Sequence, residues 1–498
     1  MTTVRQSTSA SNLQAGWKRS KGPAPGMLRA ASLALVLGLQ AGGTAPALAD
    51  EPWAERTRAL GAIAEMPSGV LSRSQLKDLT DIGEALFSAN FTTQDGVGRP
   101  QATQAIDPTR RKHPREQVFF RTAGPDAGSC AACHNQPAIG GAGDFVANVF
   151  TSEGFESADF DSLDPQFSNE RGSNHLFGSG LVEMLAREMS RDLQSIRGET
   201  LAQARTEGVE VRRKLETKGV EFGFISAEPD GSVNLNELDG VDTDLVIRPF
   251  SQKGVMTSLR QFTVNAMNHH HGMQPDERFG ARWTGSDDHD GDGKSNEMSA
   301  ADVSALVAWQ ATLPAPVQMI PEVEGWAEAA ARGEKNFSDF GCATCHRPAL
   351  PLDSLAFADP GPFDLAGTLN DRQVAQKAIY DFTLLEWAAQ LPRDDQGSVL
   401  VPLFGDLKRH VMTDNQIDAL GNELLSQRFV ERNIFQTAEL WGVGSTGPYG
   451  HRNDFTTLDE IILAHGGAGR QARDAYAAAE DADKSSLIAF LKTLVIIP

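Results

Sequence analysis

Hydrophobic positions recur with a helical period along much of the chain. Leu76, Leu79, Ile82 and Leu86 mark one apolar face, and Leu259, Phe262, Val264 and Ala266 mark another within Ser258 to Met267. Ala301 to Thr312 reads as an amphipathic helix that Leu313-Pro314-Ala315-Pro316 must end, a candidate domain boundary. Beyond it, Trp326, Ala330 and Phe337 line a helix leading into Cys342. Gln416 to Leu425, Thr456 to His465 and Lys484 to Leu494 read as further helices. Met184 to Lys218 is highly charged with helical periodicity and predicts a solvated helix or helical pair. Val220, Phe222 and Phe224 alternate instead, and Pro229-Asp230-Gly231-Ser232 follows as a turn, so a short β-hairpin is expected there. Thr92 to Thr109 and Thr437 to Gly450 are turn-rich, and Leu350 to Asp406 is mixed. The expectation is a mainly α protein in two halves, 50–315 and 316–498, with a hairpin-containing insertion at about 150–245.

Length and charge narrow this picture. The 498 residues suffice for two or three domains, and a net charge of −21 argues against nucleic acid and anionic membrane surfaces as partners. Residues 1–49 hold basic residues and no acidic ones, then an apolar run from Ala30 to Leu39 and Ala47-Leu48-Ala49 before Asp50. That is the pattern of a secretory signal peptide, with Met27 as an alternative start. Its apolar run is too short to span a bilayer, and no later run is longer, so no stable membrane span is expected.

The chemistry sits in the cysteines. All four fall in two C-x-x-C-H motifs, Cys130-Ala131-Ala132-Cys133-His134 and Cys342-Ala343-Thr344-Cys345-His346. Two thiols at this spacing add to the vinyl groups of one porphyrin, and the adjacent His becomes the proximal iron ligand. Zinc sites or disulfides are the competing readings, but neither explains why a His follows each pair. Two covalently attached c-type haems are therefore expected. Export fits this, because such haems are attached outside the bacterial cytoplasm, and the periplasm of a Gram-negative bacterium is the expected location.

A second axial ligand makes a haem a relay, whereas an open position makes it a catalyst. His465 shares a helix face with Leu458 and Ile462, and Gly466-Gly467 ends that helix, so its imidazole is a candidate ligand; a core histidine is the other reading. His410 and Met412 are fallbacks for the same haem. His269-His270-His271 could serve the first haem, or be a polar loop at a helix end. Asp288-His289-Asp290-Gly291-Asp292-Gly293 begins like a calcium loop, but its twelfth position is Ser299, with Glu297 nearby. An Asp-rich turn entering a helix is the preferred reading there.

With these motifs in place, the chain resembles the bacterial di-haem cytochrome c peroxidase and MauG-like superfamily, near its di-haem thiol-oxidoreductase-like branch. The resemblance rests on Gly341 to Leu350, on Asp406-Leu407-Lys408-Arg409-His410-Val411-Met412, on Thr437 to Gly442 with Gly447-Pro448-Tyr449-Gly450-His451, and on Thr457 to Ile462 with His465-Gly466-Gly467. It covers residues 245–498 well and 115–185 loosely. It implies two cytochrome c-like haem domains, a catalytic first haem and an electron-relaying second haem. The latter's distal ligand would fall at His465. It also implies calcium in peroxidase members, with Thr446 and Pro448 at positions that give backbone oxygens. A small redox protein, cytochrome or cupredoxin, or a small-molecule donor would supply electrons.

The departures concern the first pocket. The family's inter-haem Trp and distal Gln and Glu fall, without gaps, on Gln252, Phe262 and Gly272. Gly272 cannot move a proton; a one-residue shift brings Gln261 and His271 into those roles, and an imidazole titrates in the useful range. Phe262 would instead make an apolar pocket like that of the rubber oxygenases, which bind O2. The expected function is a peroxidase or MauG-like oxidase using peroxide, with an O2-dependent oxygenase and a non-enzymatic electron carrier as alternatives.

Overall fold

The computed structural model describes residues 53–98, 128–148, 170–422 and 430–497. The signal peptide expected at 1–49 and much of the approach to the first motif lie outside them.

Leu76, Leu79 and Leu86 are buried on the helix Arg73–Ser88, which Ser72 and Gln75 open with a reciprocal capping box. This helix lies against Ala300–Thr312 so closely that a Cβ at Gly83 would sit 2.1 Å from the Ala305 carbonyl oxygen. Ala300–Thr312 was expected to be amphipathic, yet it is buried all round from Ala301 to Ala311. Its polar residues are satisfied inside: Ser304 donates to Asp359 and Gln310 to Thr263. It is the central helix of the larger core, which explains why its pattern misleads.

The charged stretch after Met184 divides where a helical pair was an option. One long helix, Ser179–Glu207, ends at Gly208 (φ 67°), and Val211–Thr217 then pairs antiparallel with Val220–Ala227. Val233–Asn234 adds a third strand, so the expected hairpin is present in enlarged form.

The described residues are mixed helix and sheet rather than mainly α. Among the described residues there are six small sheets. Most strands are two to four residues long, too short to show alternation, and they pair across long sequence distances. Gly69–Val70 runs parallel to Ala378–Ile379, Leu350–Leu352 pairs with Val399–Val401, and Arg409–Val411 pairs with Ile434–Gln436. The C-terminal helix spans Asp481–Leu491, and Leu494–Val495 beyond it is a strand on Val317–Gln318. In the stretch read as a helix from Gln416, the described part holds only the short 3-10 turn Ala419–Gly421. Asp414 diverts the backbone there by accepting from the Gln416 and Ile417 amides.

Two cores result. The larger joins Leu76, Leu86, Leu185 and Leu306 to Leu352, Phe357, Tyr380 and Val401; the smaller is built from Phe337, Leu458, Tyr476, Leu487 and Phe490. The segment from Leu350 to Leu403 thus packs with the first core, although it follows the second motif in sequence.

Candidate haem sites

The two C-x-x-C-H motifs share one local structure. Cys130–Ala132 and Cys342–Thr344 are single 3-10 turns, and the amides of His134 and His346 donate to the Cys130 and Cys342 carbonyls, each at 3.0 Å. All four cysteines are free thiols. Burial pushes the Cys130 thiol up to about 12 and the Cys342 thiol up to about 11.

Each motif histidine is oriented by the backbone. His134 Nδ1 lies 3.2 Å from the Gly141 carbonyl oxygen, and His346 Nδ1 lies 3.1 Å from that of Ala438 and 3.3 Å from that of Phe404. A proton on Nδ1 donated to these carbonyls leaves Nε2 as the lone-pair nitrogen, the arrangement that metal-bound imidazoles use. Gly141 is indispensable to this turn, because a Cβ there would come within 2.0 Å of the Gln136 carbonyl oxygen.

Opposite His346 stands His465. Their ring centres are 6.4 Å apart. With metal–imidazole bonds of about 2.0–2.1 Å and the ring radius on each side, two imidazoles on opposite faces of one metal are separated by about 6 Å. His465 Nδ1 lies 2.7 Å from the Ile461 carbonyl oxygen, so its Nε2 is also left free. The helix Leu458–Leu463, which ends two residues before His465, opens on a Thr457–Glu460 capping box. The fallback His410 is taken up elsewhere, its Nε2 lying 2.9 Å from Asp406 Oδ2. Burial opposes its charge, but Asp406 outweighs this and raises its pKa to about 9. Two buried polar atoms near His346, Arg347 Nε and Glu439 Oε1, have no hydrogen-bond partner. The cysteines, the facing imidazoles and the unpartnered Arg347 Nε fit a haem with acidic propionates.

The first site is walled differently. Phe87 stands 6.1 Å from the His134 ring and packs on Trp309 at 4.4 Å. The Asn-His-His-His run is neither a loop nor an α-helix. Met267–His271 is a π-helical turn that extends the helix Leu259–Ala266 and closes at Gly272 (φ 66°). His271 is buried, with Nε2 3.4 Å from Cys130 Sγ and its ring 5.3 Å from that of Phe91. His270 is the imidazole whose pKa is lowered, to about 4, by burial first and the charge of His134 second. Gln261 is buried, and its side-chain carbonyl accepts from the Thr257 amide and hydroxyl at 2.7 and 2.9 Å. Only its amide nitrogen is left for another partner. Phe262 is half-buried on the same helix. Gln252 donates to the Gly172 carbonyl oxygen at 3.0 Å.

A residue without a sequence signal lies nearby. His175 is depressed to about 4, by burial first, and the charge of His134 also reaches it. Its Nε2 is 2.9 Å from the carbonyl oxygen of Trp441, three residues beyond the Ala438 that receives His346. Thr446 and Pro448 lie at the turn after Val443–Ser445, with the Thr446 hydroxyl donating to the Gly442 carbonyl. Among the described residues, acidic or metal-ligating side chains cluster elsewhere: at Cys345, Asp406 and His410, and at Asp288, Asp290 and Asp292. No helix among the described residues is long and apolar enough to cross a membrane.

Comparison with known proteins gives a family match over part of the chain. No curated protein sequence matches. Among solved structures, a hydrazine synthase from Kuenenia stuttgartiensis aligns over 93% of this chain and 100% of its own, at 13% identity and a TM-score of 0.36. A MauG-like protein associated with microbial copper homeostasis aligns over 54% of this chain and 78% of its own, at 15% identity and a TM-score of 0.27. At these scores neither likeness carries weight. The family model described as "Di-haem oxidoreductase, putative peroxidase" matches residues 394–494, the stretch holding Asp406, Ala438 and His465. That stretch of the chain is thus similar to the di-haem oxidoreductase family, and the two C-x-x-C-H motifs at 130–134 and 342–346 lie before it.

Proposed function

We propose that this protein is a periplasmic di-haem c-type enzyme in which the second haem relays electrons and the first meets a peroxide oxidant. The asymmetry of the two histidine sites carries this reading. His346 faces His465 across 6.4 Å, whereas the His134 ring has Phe87 at 6.1 Å, with His270 and His175 near enough for its charge to reach them. Haem supplies iron that exchanges electrons and, where an axial position is open, binds an oxidant.

The chain's own residues do the rest. Cys342 and Cys345 would hold the second haem, and His346 and His465 would fix it from both sides. Cys130, Cys133 and His134 would hold the first. Carbonyls at Gly141, Ala438 and Ile461 lock the imidazoles in one tautomer, which limits the reorganisation accompanying electron transfer. Phe87, Phe91 and Trp309 give the first site apolar walls that exclude water. His271, buried on the π-turn, is the group proposed to move a proton in this pocket, with Gln261 behind it in the helix. His270, held near 4 chiefly by burial, stays neutral at pH 7 and is a weak proton acceptor. Electrons would come from a small redox protein or a small-molecule donor.

Electron paramagnetic resonance and optical spectra of the oxidised and reduced protein test the proposal. The expected result is one high-spin haem that responds to hydrogen peroxide, together with a low-spin haem that does not. His271→Ala should cripple peroxide turnover. If both haems stay low-spin in every redox state, indifferent to peroxide and O2, the protein is an electron carrier. A stable O2 complex that survives His271→Ala would place it with the oxygenases, where Phe262 makes the pocket.

A further inference from the structure

The loop from Asp288 to Glu297 takes no part in the chemistry above. Its sequence, D-x-D-x-D-G, spaces three carboxylates at the first, third and fifth positions, and Gly293 at the sixth has φ 90°. A left-handed glycine at this position makes the sharp turn of a twelve-residue calcium loop. Acidic loops are common without ions, so the spacing alone decides nothing.

The placement of the side chains does. Carboxylate oxygens of Asp288, Asp290 and Asp292 all lie within 4.8 Å of one another. Oxygens on one Ca2+, bound at about 2.3–2.6 Å, can be at most about 5.2 Å apart. Asp290 is 0% exposed, and its Oδ2 is buried with no hydrogen-bond partner. An oxygen left in that state is costly unless a cation or a proton meets it. Glu297, 7% exposed, is a fourth carboxylate turned inward behind this group. Burial first, and then the charges of Asp290, Asp292 and Asp288, raise its pKa far above the usual carboxylate range. Asp288 is ordered by the amides of Gly291, Asp292 and Gly293. Position twelve is spent differently, because Ser299 caps the helix Ala300–Thr312. Two residues earlier, Glu297 is the carboxylate that the charges of all three aspartates reach.

We propose that Asp288, Asp290 and Asp292, completed by Glu297, bind one Ca2+ ion. The site has a structural consequence. Glu297 Oε2 accepts from the Gln274 amide at 2.6 Å, and the Asp276 amide donates to the Met298 carbonyl oxygen at 2.9 Å. Residues 274–276 follow directly on the π-turn of His270 and His271, so an ion in the loop braces the segment behind that turn.

The test uses the full-length protein with its haems, stripped by a calcium chelator and titrated with CaCl2 in a calorimeter, with thermal unfolding measured in both states. The wild type is expected to bind Ca2+ and melt higher with it. Asp290→Asn and Glu297→Gln should each bind one equivalent fewer, or bind at least about tenfold more weakly. Without calcium, Asp290→Asn should melt no lower than the metal-free wild type, since it removes a repelled buried charge. This separates loss of a ligand from loss of the fold. A wild type that shows neither binding heat nor a shift in melting overturns the proposal. So does unchanged stoichiometry and affinity in both variants, which would put any bound calcium elsewhere, as at Thr446 and Pro448.

Discussion

At the scale of single residues, the histidines divide by what their second nitrogen does. His134, His346 and His465 each direct Nδ1 to a backbone carbonyl and keep Nε2 free, whereas His410 commits Nε2 to Asp406. His465 was legible as a candidate because a helix face with Leu458 and Ile462 stops at two glycines. His410 was an equal chemical candidate, and only its carboxylate partner sets it aside. His465→Ala should therefore convert the second haem from low-spin to high-spin without loss of covalent attachment. Resonance spectra and a haem-to-protein ratio read the two outcomes separately. An unchanged low-spin signal would mean that another group, such as Met412, holds that face. The imidazoles of the first pocket were less legible. A run of three histidines after a helix gives no hint of a π-turn, and that turn decides that His271 meets Cys130. His175 had no signal at all, since a lone histidine before a Gly-rich turn is indistinguishable from a core residue.

At the scale of elements, the long periodic helices were readable and the short strands were not. Arg73–Ser88 carries its apolar stripe in its own sequence. Arg409–Val411 exists because Ile434–Gln436 lies beside it, and no local pattern announces that pairing. The Asp414 turn shows how such pieces serve a site. Its carboxyl accepts from the Gln416, Ile417 and Gly467 amides and pairs with Arg470, so it ties the 412–417 segment to the glycines directly after His465. The amides of Gln416 and Ile417 chiefly hold its pKa below the usual carboxylate range. A depressed folded value means that the contribution is complete above the unfolded pKa of about 3.9 and fades as pH falls below it. The low-spin signal assigned to His465 should thus weaken under acid in the wild type. Asp414→Ala should show the loosening already at neutral pH, as faster hydrogen exchange at the Gly467 amide; equal exchange in both proteins would show that the turn does not hold the glycines. The proposed calcium site can be probed in the same way. Adding CaCl2 to the stripped protein should slow exchange at the Gln274 and Asp276 amides and leave that at Gly467 unchanged, whereas uniform protection would point to general stabilisation instead.

At the scale of the whole molecule, a buried ionic cluster joins the stretches before and after Pro316. Arg260, 1% exposed, donates to Asp359 at 2.9 Å, to Ser304 at 2.8 Å, and to Glu277 through both Nε and a second nitrogen. Tyr380 and Ser304 also donate to Asp359, at 2.9 and 2.7 Å, and the Leu369 amide donates to Glu277 at 2.8 Å. The carboxylates are therefore saturated with donors while a single guanidinium balances their charge. A buried pair of this kind adds little over an apolar substitute, but breaking it leaves charge without compensation, at a cost of about 3–5 kcal/mol. Arg260→Met should lower unfolding stability by that order. The loss should also depend on pH, because burial already raises the Glu277 pKa even beside Arg260. Without the guanidinium, Glu277 would titrate higher still. A folded pKa raised above the unfolded value favours the fold at low pH and loses that contribution as pH rises through it. Urea unfolding of Arg260→Met should accordingly show a smaller deficit at pH 5 than at pH 8. Adding Glu277→Gln and Asp359→Asn should recover part of the loss at pH 8. A deficit equal at both pH values and unrelieved by the amides would locate the cost in lost packing around the arginine stem, not in stranded charge.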